Sequence, residues 1–363
     1  MKIGILTHYQ AESHGACLQH YALTRYLTQL GHEVHTITYQ RSFSFSTHED
    51  KQKFSVNLRS FPYYIREYLF RKGLSHTWTM VRKHSCLHHF RRNCFSFLPQ
   101  SEDFDVIIVG SDEVWSLQMG LTPVLFGHGL NCGKLIAYAP SFGQTRHSDI
   151  FSRGCLEILR EGLSRFHSIS VRDTHSQVLV KQLIGRIPAI VCDPALLYDF
   201  GKELADCSVD KPDAPYVVVY AYSSDLNEPK RIAAIREYAR SIGARVFSAG
   251  GHHRWCDKQI ICDPLALLGW FRNAAAVVTD TFHGTIYAAL TETPMAIYIR
   301  PTNQNKLSHL VSALQLDNRM VSSSHSLSDI LNTSVDFDHL RATIQSLRAF
   351  GQRWLSQALD EPD

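Results

Sequence analysis

The sequence predicts an α/β protein built from two Rossmann-like domains that face a central cleft. Short apolar runs alternate with segments of helical periodicity, a pattern typical of parallel sheets covered by helices. The chain has 363 residues, more than one ordinary core accommodates. A polar, proline-containing stretch at 206–215 divides the alternating pattern into two series. We therefore expect two domains that join near residue 206.

The first domain is predicted to span residues 1–205. Residues 2–7 are expected to form a strand, 15–31 a helix and 33–39 a second strand, which together make a βαβ unit. Further strands are predicted at 105–110, 134–143, 168–173 and 189–197. An insertion at about 45–100 interrupts this series with a basic helical segment.

The second domain is predicted to span residues 206–340, and a C-terminal helix is expected within 341–363. Strands are predicted at 216–224, 244–251, 275–280 and 295–299. Helices are predicted at 228–242, at 263–273 and from about residue 284. The amphipathic pattern over 340–358 predicts the last helix of the chain.

Composition excludes several classes of protein. Apolar residues make up 44% of the chain and charged residues 20%, which is the balance of a soluble globular protein. No run of eighteen apolar residues is present, and the apolar run near the N-terminus is too short for a signal peptide. The nine cysteines contain no Cys-x-x-Cys pair and are expected to be reduced thiols. These features predict a cytoplasmic protein.

The segment 51–100 is strongly basic. It carries ten Lys and Arg residues against a single acidic residue, a net charge of +9, with aromatic residues interleaved. Such a segment is typical of a solvated helical insertion, or of contact with an anionic membrane surface or a phosphorylated ligand. A membrane contact would place the protein at the inner face of the membrane. No nucleic-acid recognition module is visible, so nucleic acid is not expected as a partner.

Unusual polar residues follow the predicted strands, at the sheet edge where open parallel sheets bind ligands. They occur at six places, namely 7–15, 110–115, 141–143, 172–173, 250–251 and 280–284. No Gly-x-Gly-x-x-Gly or Walker sequence follows any strand, which disfavours dinucleotide binding and P-loop chemistry. The pattern predicts a ligand cleft without a nucleotide cofactor.

The stretch VVTDTFHGTIYAAL, at 277–290, places a His-Gly pair where a strand turns into a helix. A helix N-terminus offers free N–H groups and a positive dipole end to an anion. We expect Gly284 to allow close approach of the ligand, and His283 to hold the anion or move a proton. The alternative is that Thr281 or Asp280 only caps the helix while His283 only packs.

Two cations extend the predicted anion site. Arg172 follows a predicted strand and offers a forked guanidinium to a phosphate or carboxylate. Its alternative role is a surface ion pair with Asp173. Lys306 is a lone cation in the second domain and a weaker candidate.

Six motifs in order carry a resemblance to a known family. They are KIGILT with SHGACLQHYALTRYLTQLGHEV, FDVIIVGSDEVW, IAYAPSFG, ISVRD, VCDPALL and VVTDTFHGTIYAAL. Together they resemble the polysaccharide pyruvyl transferase family over residues 2 to about 310. The resemblance implies a GT-B-like pair of domains. It also implies transfer of pyruvate from phosphoenolpyruvate onto two hydroxyls of a sugar, with formation of a cyclic ketal and release of phosphate.

The resemblance assigns roles to residues that match the family motifs. His283 falls at the phosphoenolpyruvate site, and Arg172 is expected to hold the phosphate or carboxylate of the donor, with Lys306, Thr281 and Gly284 beside them. Asp112 lies in the Gly-Ser-Asp motif with Ser111, and Asp112 or Glu113 is expected to activate a sugar hydroxyl. Glu113 replaces the usual Gln, and Ser13 and His14 replace the usual Asn-Tyr, so that acceptor contacts by His14 and Gly15 differ from the family pattern. The resemblance implies no metal and no cofactor apart from the donor substrate.

Two further functions fit the same cleft. A GT-B nucleotide-sugar glycosyltransferase would share the architecture, and a non-catalytic glycan- or phosphate-binding protein would use the cleft without turnover. The expected acceptor is a sugar or glycan of a cell-surface polysaccharide, either free or lipid-linked.

Overall fold

A computed structural model describes residues 1–42, 44–45, 74–222 and 225–361. Its first domain contains a seven-stranded sheet in the order β3-β2-β1-β4-β5-β6-β7, in which every neighbouring pair is parallel. The strands are β1 (Lys2–Leu6), β2 (Glu33–Thr38), β3 (Phe97–Pro99), β4 (Phe104–Val109), β5 (Cys132–Ala137), β6 (Ser168–Val171) and β7 (Ala189–Ile190).

The second domain contains a five-stranded parallel sheet in the order β10-β9-β8-β11-β12. Its strands are β8 (Tyr216–Ala221), β9 (Arg245–Gly250), β10 (Lys258–Gln259), β11 (Ala276–Thr279) and β12 (Met295–Ile297). Parallel strands need crossover connections, and helices supply most of them. The two predicted series of strands and helices therefore form two Rossmann-like units.

Helices cover both faces of each sheet. Those preceding β8 are α1 (His14–Gln29), α2 (Leu74–Cys94), α3 (His147–Ser152), α4 (Leu156–Ser164), α5 (Thr174–Ile184), α6 (Pro194–Leu197) and α7 (Gly201–Asp206). Those following β8 are α8 (Pro229–Ser241), α9 (Pro264–Arg272), α10 (Phe282–Leu290), α11 (Gln304–Ala313), α12 (Leu327–Asn332) and α13 (Phe337–Asp360).

The two domains share one apolar core. A single buried cluster includes Leu18 and Leu196 of the first domain together with Tyr220 and Leu267 of the second. Two further clusters lie on the outer faces of the two sheets. Burial of apolar surface stabilises an interface roughly in proportion to its area. The shared core therefore fixes how the carboxyl ends of the two sheets face each other.

Helix α13 returns from the second domain to the first. Arg348 Nε donates to the carbonyl of Leu196 at 3.0 Å, and Gln352 Nε2 donates to the carbonyl of Leu197 at 3.2 Å. A Cβ on Gly351 would lie 2.7 Å from Tyr138 Oη, so the absence of a side chain permits this close packing. The helix thus adds a second connection between the domains.

The basic segment is only partly described, because residues 51–73 lie outside the described ranges. Within its described part, Lys83 and Arg91 are buried on α2, at 5% and 8% exposure. The expectation of a fully solvated insertion is therefore wrong for these two cations. Across the described ranges, no helix combines the length and apolarity needed to span a membrane.

One predicted strand is wrong in extent. Residues 189–197 were expected to form a strand, but only Ala189–Ile190 pair with β6, and Pro194–Leu197 form α6. Proline favours the first turn of a helix, and the Asp193 side chain caps this turn by accepting from Ala195 N. The change from strand to helix brings Asp193 to the cleft.

Candidate active site

Two helix N-termini meet at the cleft between the domains. Helix α1 begins after Ser13, and α10 begins after Thr281, whose hydroxyl accepts from Gly284 N at 2.9 Å. A Cβ on Gly15 would lie 2.2 Å from Cγ of His283, so the imidazole rests directly on the α1 backbone. Both helices direct the positive end of their dipole into this region.

Asp193 lies at the centre of the site and is almost wholly buried. Its Oδ2 accepts from Arg172 Nη1 at 2.8 Å and from Ser111 Oγ at 3.3 Å, and lies 3.6 Å from His283 Nε2. Burial alone would raise the pKa of Asp193, but the neighbouring His283 and Arg172 outweigh burial and hold that pKa well below its usual range. The carboxylate is therefore ionised and links the two domains.

Arg172 is buried with part of its donor capacity unused. Its Nη2 lies 3.6 Å from Asp112 Oδ1, and its guanidinium carbon lies 4.2 Å from the ring centre of Phe282. Within the described residues, Nε and Nη2 have no hydrogen-bond partner. Such donors fit a phosphate or carboxylate oxygen. The predicted alternative, an ion pair with Asp173, is wrong, because Asp173 caps α5 instead.

Asp112 and Glu113 line the first-domain wall of the site. Asp112 adopts a left-handed backbone with φ of 79°. Such a conformation is uncommon for residues other than glycine and often occurs at functional sites. Burial raises the pKa of Asp112, but Arg172 and His283, with smaller contributions from two other cationic groups, outweigh burial and lower it. Asp112 is therefore an ionised carboxylate facing the cleft.

An ion pair crosses the cleft beside this cluster. Glu113 Oε1 lies 2.8 Å from Lys306 Nζ of the second domain, and both side chains are partly exposed. His8 Nε2 lies 3.3 Å from the Glu113 carbonyl. The structure therefore brings together His283, Arg172, Asp112, Glu113 and Lys306 at one edge of the two sheets.

Several predicted ligand contacts need correction. The Gly284 N–H is capped by Thr281, and a Cβ on Gly284 would meet Thr279 Oγ1 at 2.1 Å, so this glycine permits packing against β11 and not ligand approach. The Thr281 hydroxyl is the acceptor in that cap. Asp280 does not cap α10, because Thr281 is the N-cap, and the Asp280 carboxylate pairs with Arg300 at 3.1 Å.

His14 and Ser111 also differ from the expectation. His14 is buried, and its Nε2 donates to the carbonyl of Cys262 in the second domain at 3.0 Å. Burial, with a smaller effect of Lys83, lowers the pKa of His14 to about 3, so the ring is neutral and joins the domains. The Ser111 hydroxyl points to the carbonyl of Ala139 at 3.0 Å and to Asp193, so it positions that carboxylate instead of binding substrate directly.

Asp193 and His8 were missed as site residues. The Asp-Pro pair at 193–194 signals a helix cap, but nothing in its spacing indicates that the same carboxylate meets Arg172 and His283. His8 follows β1 and contacts Glu113 and Tyr39 only after the chain has folded.

The fold and site together define a two-domain protein of GT-B-like architecture with a cluster of charged side chains between the domains. Structural similarity supports this class. The kitacinnamycin glycotransferase is 13% identical with a TM-score of 0.50, covering 99% of this chain and 97% of that chain. A putative UDP-N-acetylglucosamine 2-epimerase from Listeria monocytogenes is 11% identical with a TM-score of 0.50, covering 100% of this chain and 97% of that chain.

Sequence comparison then identifies the family. The model of the polysaccharide pyruvyl transferase family matches residues 14–300. The chain belongs to the polysaccharide pyruvyl transferase family. The matched region contains Gly15, Asp112, Arg172, Asp193 and His283. A search of curated proteins gives no significant sequence match.

Proposed function

We propose that the protein transfers pyruvate from phosphoenolpyruvate to a sugar of a cell-surface polysaccharide or of its lipid-linked precursor, forming a ketal and releasing phosphate. Family membership supports a pyruvyl transfer enzyme. The observation that carries the donor assignment is the cluster of Arg172, Asp193 and His283, in which an imidazole and a buried guanidinium share one carboxylate.

Arg172 and the N-terminus of α10 supply the anion cradle in this proposal. The Gly284 N–H is capped by Thr281, but the N–H groups that precede it in the first turn of α10 have no partner within the helix and suit anionic oxygens. The unused donors of Arg172 suit the carboxylate or phosphate of phosphoenolpyruvate. Lys306 adds a second cation once the phosphate displaces Glu113, whose ion pair with Lys306 is partly exposed and easily exchanged.

The proposed reaction begins with protonation of the methylene carbon of phosphoenolpyruvate. His283 donates this proton, and Asp193 stabilises the imidazolium form from which it leaves. A sugar hydroxyl attacks the resulting cationic carbon, and the C–O bond to phosphate breaks. A second hydroxyl then closes the ketal ring. The new methyl group keeps the proton that His283 donated. Of the two protons that leave the sugar hydroxyls, one restores the imidazolium of His283 by way of solvent and the other leaves with phosphate as HPO₄²⁻, so the atoms and charges balance over one turnover.

Asp112 and Glu113 are the proposed groups that receive protons from the sugar hydroxyls. Both carboxylates lie on the first-domain wall of the cleft, Asp112 beside Arg172 and Glu113 opposite Lys306 of the second domain. Release of Glu113 from Lys306 on donor binding frees this carboxylate to accept a hydroxyl proton. Donor binding therefore prepares the acceptor side of the cleft.

The acceptor and the location of the enzyme are parts of the same proposal. A cytoplasmic reaction on a lipid-linked glycan would bring the basic segment 51–100 near the inner face of the membrane. The net charge of +9 in this segment supports a location near the membrane. Lys83 and Arg91 are buried, so these two cations do not contribute to the exposed positive surface.

The test is release of phosphate from phosphoenolpyruvate in the presence of candidate glycans. We expect release to require a glycan and to fall by at least about 100-fold in His283→Ala, because general acid catalysis contributes roughly that factor. His325→Ala is the matched control, since His325 is exposed on the second domain. Absence of release with every glycan, together with turnover of a nucleotide sugar, would instead indicate a glycosyltransferase. Ligand binding without any turnover would indicate a binding protein.

A further inference from the structure

A second cavity, of about 780 Å³, opens on the first domain beside the cleft. Residues that follow three neighbouring strands line it, namely Tyr9 after β1, Tyr39 and Gln40 after β2, and Gln100 after β3. This edge of a parallel sheet is where ligands bind, and the volume lies within the range of about 300–1,000 Å³ typical of ligand sites. The cavity is therefore built and placed as a binding site.

The described lining of this cavity contains no Asp, Glu, Lys or Arg residue. Instead it carries three glutamines, Gln10, Gln40 and Gln100, whose amides both donate and accept hydrogen bonds. Sugar hydroxyls also donate and accept, so amides complement them without a counter-charge. The lining residues offer a charged ligand no opposite charge in exchange for its hydration, and Arg41, outside this lining, interacts with the Tyr39 hydroxyl.

Aromatic side chains complete the match to a sugar. The rings of Tyr9 and Tyr39 meet edge to face with centroids 5.8 Å apart, and Tyr9 also packs against Phe97. These contacts hold both rings in place in the cavity wall. Rigid aromatic rings present an apolar body and a polar tip, and therefore suit the mixed surface of a pyranose.

One imidazole connects the cavity to the reaction site. His8 Nδ1 lies 3.3 Å from Tyr39 Oη, and His8 Nε2 lies 3.3 Å from the carbonyl of Glu113. A single side chain therefore joins the cavity wall at Tyr39 to the backbone of Glu113, whose carboxylate lies in the reaction cleft.

We infer that this cavity binds uncharged sugar residues of the acceptor glycan and holds the chain while its terminal sugar reacts beside Glu113. The inference rests on the proposed function for the identity of the glycan as acceptor, whereas binding of a neutral sugar can be measured without turnover. A charged glycan would instead suit a smaller cavity of about 410 Å³ between the domains, whose lining includes Arg146 and Asp149.

The test is titration of the full-length protein with three neutral disaccharides, lactose, cellobiose and N,N′-diacetylchitobiose, followed by saturation-transfer NMR. We expect at least one to bind, and Gln40→Ala or Gln10→Ala to weaken its affinity about fivefold, as loss of one hydrogen bond does. Both glutamines are exposed, so the fold tolerates their replacement. Gln182→Ala, an exposed glutamine on α5, should bind like the wild type.

The inference is overturned if no neutral disaccharide binds, if only a glucuronic acid disaccharide binds, or if Gln40→Ala and Gln10→Ala both bind as the wild type does. Phosphate release from phosphoenolpyruvate, measured on the same samples, separates the two hypotheses. Binding that Gln40→Ala weakens, without any phosphate release, supports the sugar site and contradicts the proposed reaction. Phosphate release that neither glutamine substitution alters supports the reaction and contradicts the sugar site.

Discussion

Asp193 connects the donor-side groups of both domains through a single carboxylate. Its Oδ2 contacts Arg172 at 2.8 Å and His283 at 3.6 Å. The buried Ser111 hydroxyl also donates to this oxygen. A buried charge is tolerated when it is paired and hydrogen-bonded, and its removal leaves the partners uncompensated. The position of His283 and the burial of Arg172 therefore depend on the same residue.

Asp193→Asn tests this dependence through stability and its response to pH. We expect a loss of about 3 kcal/mol in the free energy of unfolding at pH 7, because Arg172 keeps its buried charge without a full partner. The folded pKa of Asp193 is depressed, so its stabilisation is complete above the unfolded pKa near 4 and is lost as pH falls through the folded value. The difference between wild type and variant should therefore shrink below about pH 4.

Urea unfolding at pH 7, 5 and 3 measures this difference. Asp210→Asn provides the matched control, because Asp210 is exposed in the linker region. A difference that stays constant down to pH 3, or a variant as stable as the wild type at pH 7, would contradict the assigned role of Asp193.

Gly15 is the second residue on which the position of His283 depends. Alanine in a helix ordinarily adds up to about 1 kcal/mol of stability relative to glycine. At Gly15, however, the new Cβ would lie 2.2 Å from Cγ of His283 and would displace the imidazole. A displacement of about 1 Å at a reacting group can cost a factor of roughly 100 in rate, so we expect Gly15→Ala to lower kcat by about that factor.

Steady-state kinetics of phosphate release would measure the effect of Gly15→Ala. Gly201→Ala is the control, because Gly201, like Gly15, lies in the first turn of a helix. A Cβ on Gly201 would approach no heavy atom closer than 3.5 Å. Equal kcat values for Gly15→Ala and the wild type would show that the imidazole does not depend on this contact.

At the residue scale, the sequence predicted which residues converge better than which atoms they contact. His283, Arg172 and Asp112 follow strands, and the carboxyl ends of parallel strands meet at one edge, so their convergence was predictable. The packing role of Gly284 and the interdomain hydrogen bond of His14 depend on which atoms lie opposite in the folded chain. Spacing along the sequence carries no information about such contacts.

Helix α2 is the element that most changes the interpretation of the basic segment. Its buried side chains recur at Lys83, Leu87, Phe90 and Arg91, which is helical spacing, and they form one face of the helix. Lys83 Nζ donates to the carbonyl of Gly250 at 2.6 Å, at the end of β9. The helix therefore connects the first domain to the second through Lys83, so the basic residues of this segment do not all serve as exposed cations.

A pH titration tests the contribution of Lys83 to this connection. Burial lowers the pKa of Lys83 to about 8, whereas its unfolded value is near 10.4. Between these values the unfolded chain binds more protons than the folded chain, so this group makes stability rise with pH. We expect the free energy of unfolding of the wild type to rise relative to Lys83→Met between pH 8 and pH 10.

Chemical unfolding at pH 8, 9 and 10 would measure the gap between the two proteins. Lys181→Met, a change at an exposed lysine on α5, is the matched control. A gap for Lys83→Met that stays the same from pH 8 to pH 10 would contradict the burial of an ionisable lysine at this position.

At the element scale, caps and apolar runs predicted most helices and strands. The last helix was predicted from its amphipathic pattern, and the Asp336 side chain caps it by accepting from His339 N at 2.9 Å. The short strands β3 and β10 were not predicted, because two or three residues at the edge of a sheet leave no periodic signal. The strand expected through 189–197 ends early because Pro194 begins a helical turn.

At the scale of the whole molecule, the shared core and the returning helix α13 hold the two sheets with their carboxyl ends facing each other. Two contacts then span the cleft at the reaction site, from Asp193 to His283 and from Glu113 to Lys306. Neither domain alone contains both His283 and its carboxylate partner Asp193. The two-domain arrangement was predictable from the two series of strands, whereas these pairings across the cleft were not.

The central claim is that this cleft forms a pyruvate ketal from phosphoenolpyruvate and a glycan. The most direct test is NMR of the products formed from phosphoenolpyruvate labelled with ¹³C at its methylene carbon, with the reaction run in D₂O. The proposal predicts a ketal methyl group that carries one deuterium and appears in equal amount to released phosphate. Consumption of a nucleotide sugar with no labelled ketal for any glycan, or release of phosphate with free pyruvate as the sole organic product, would contradict it.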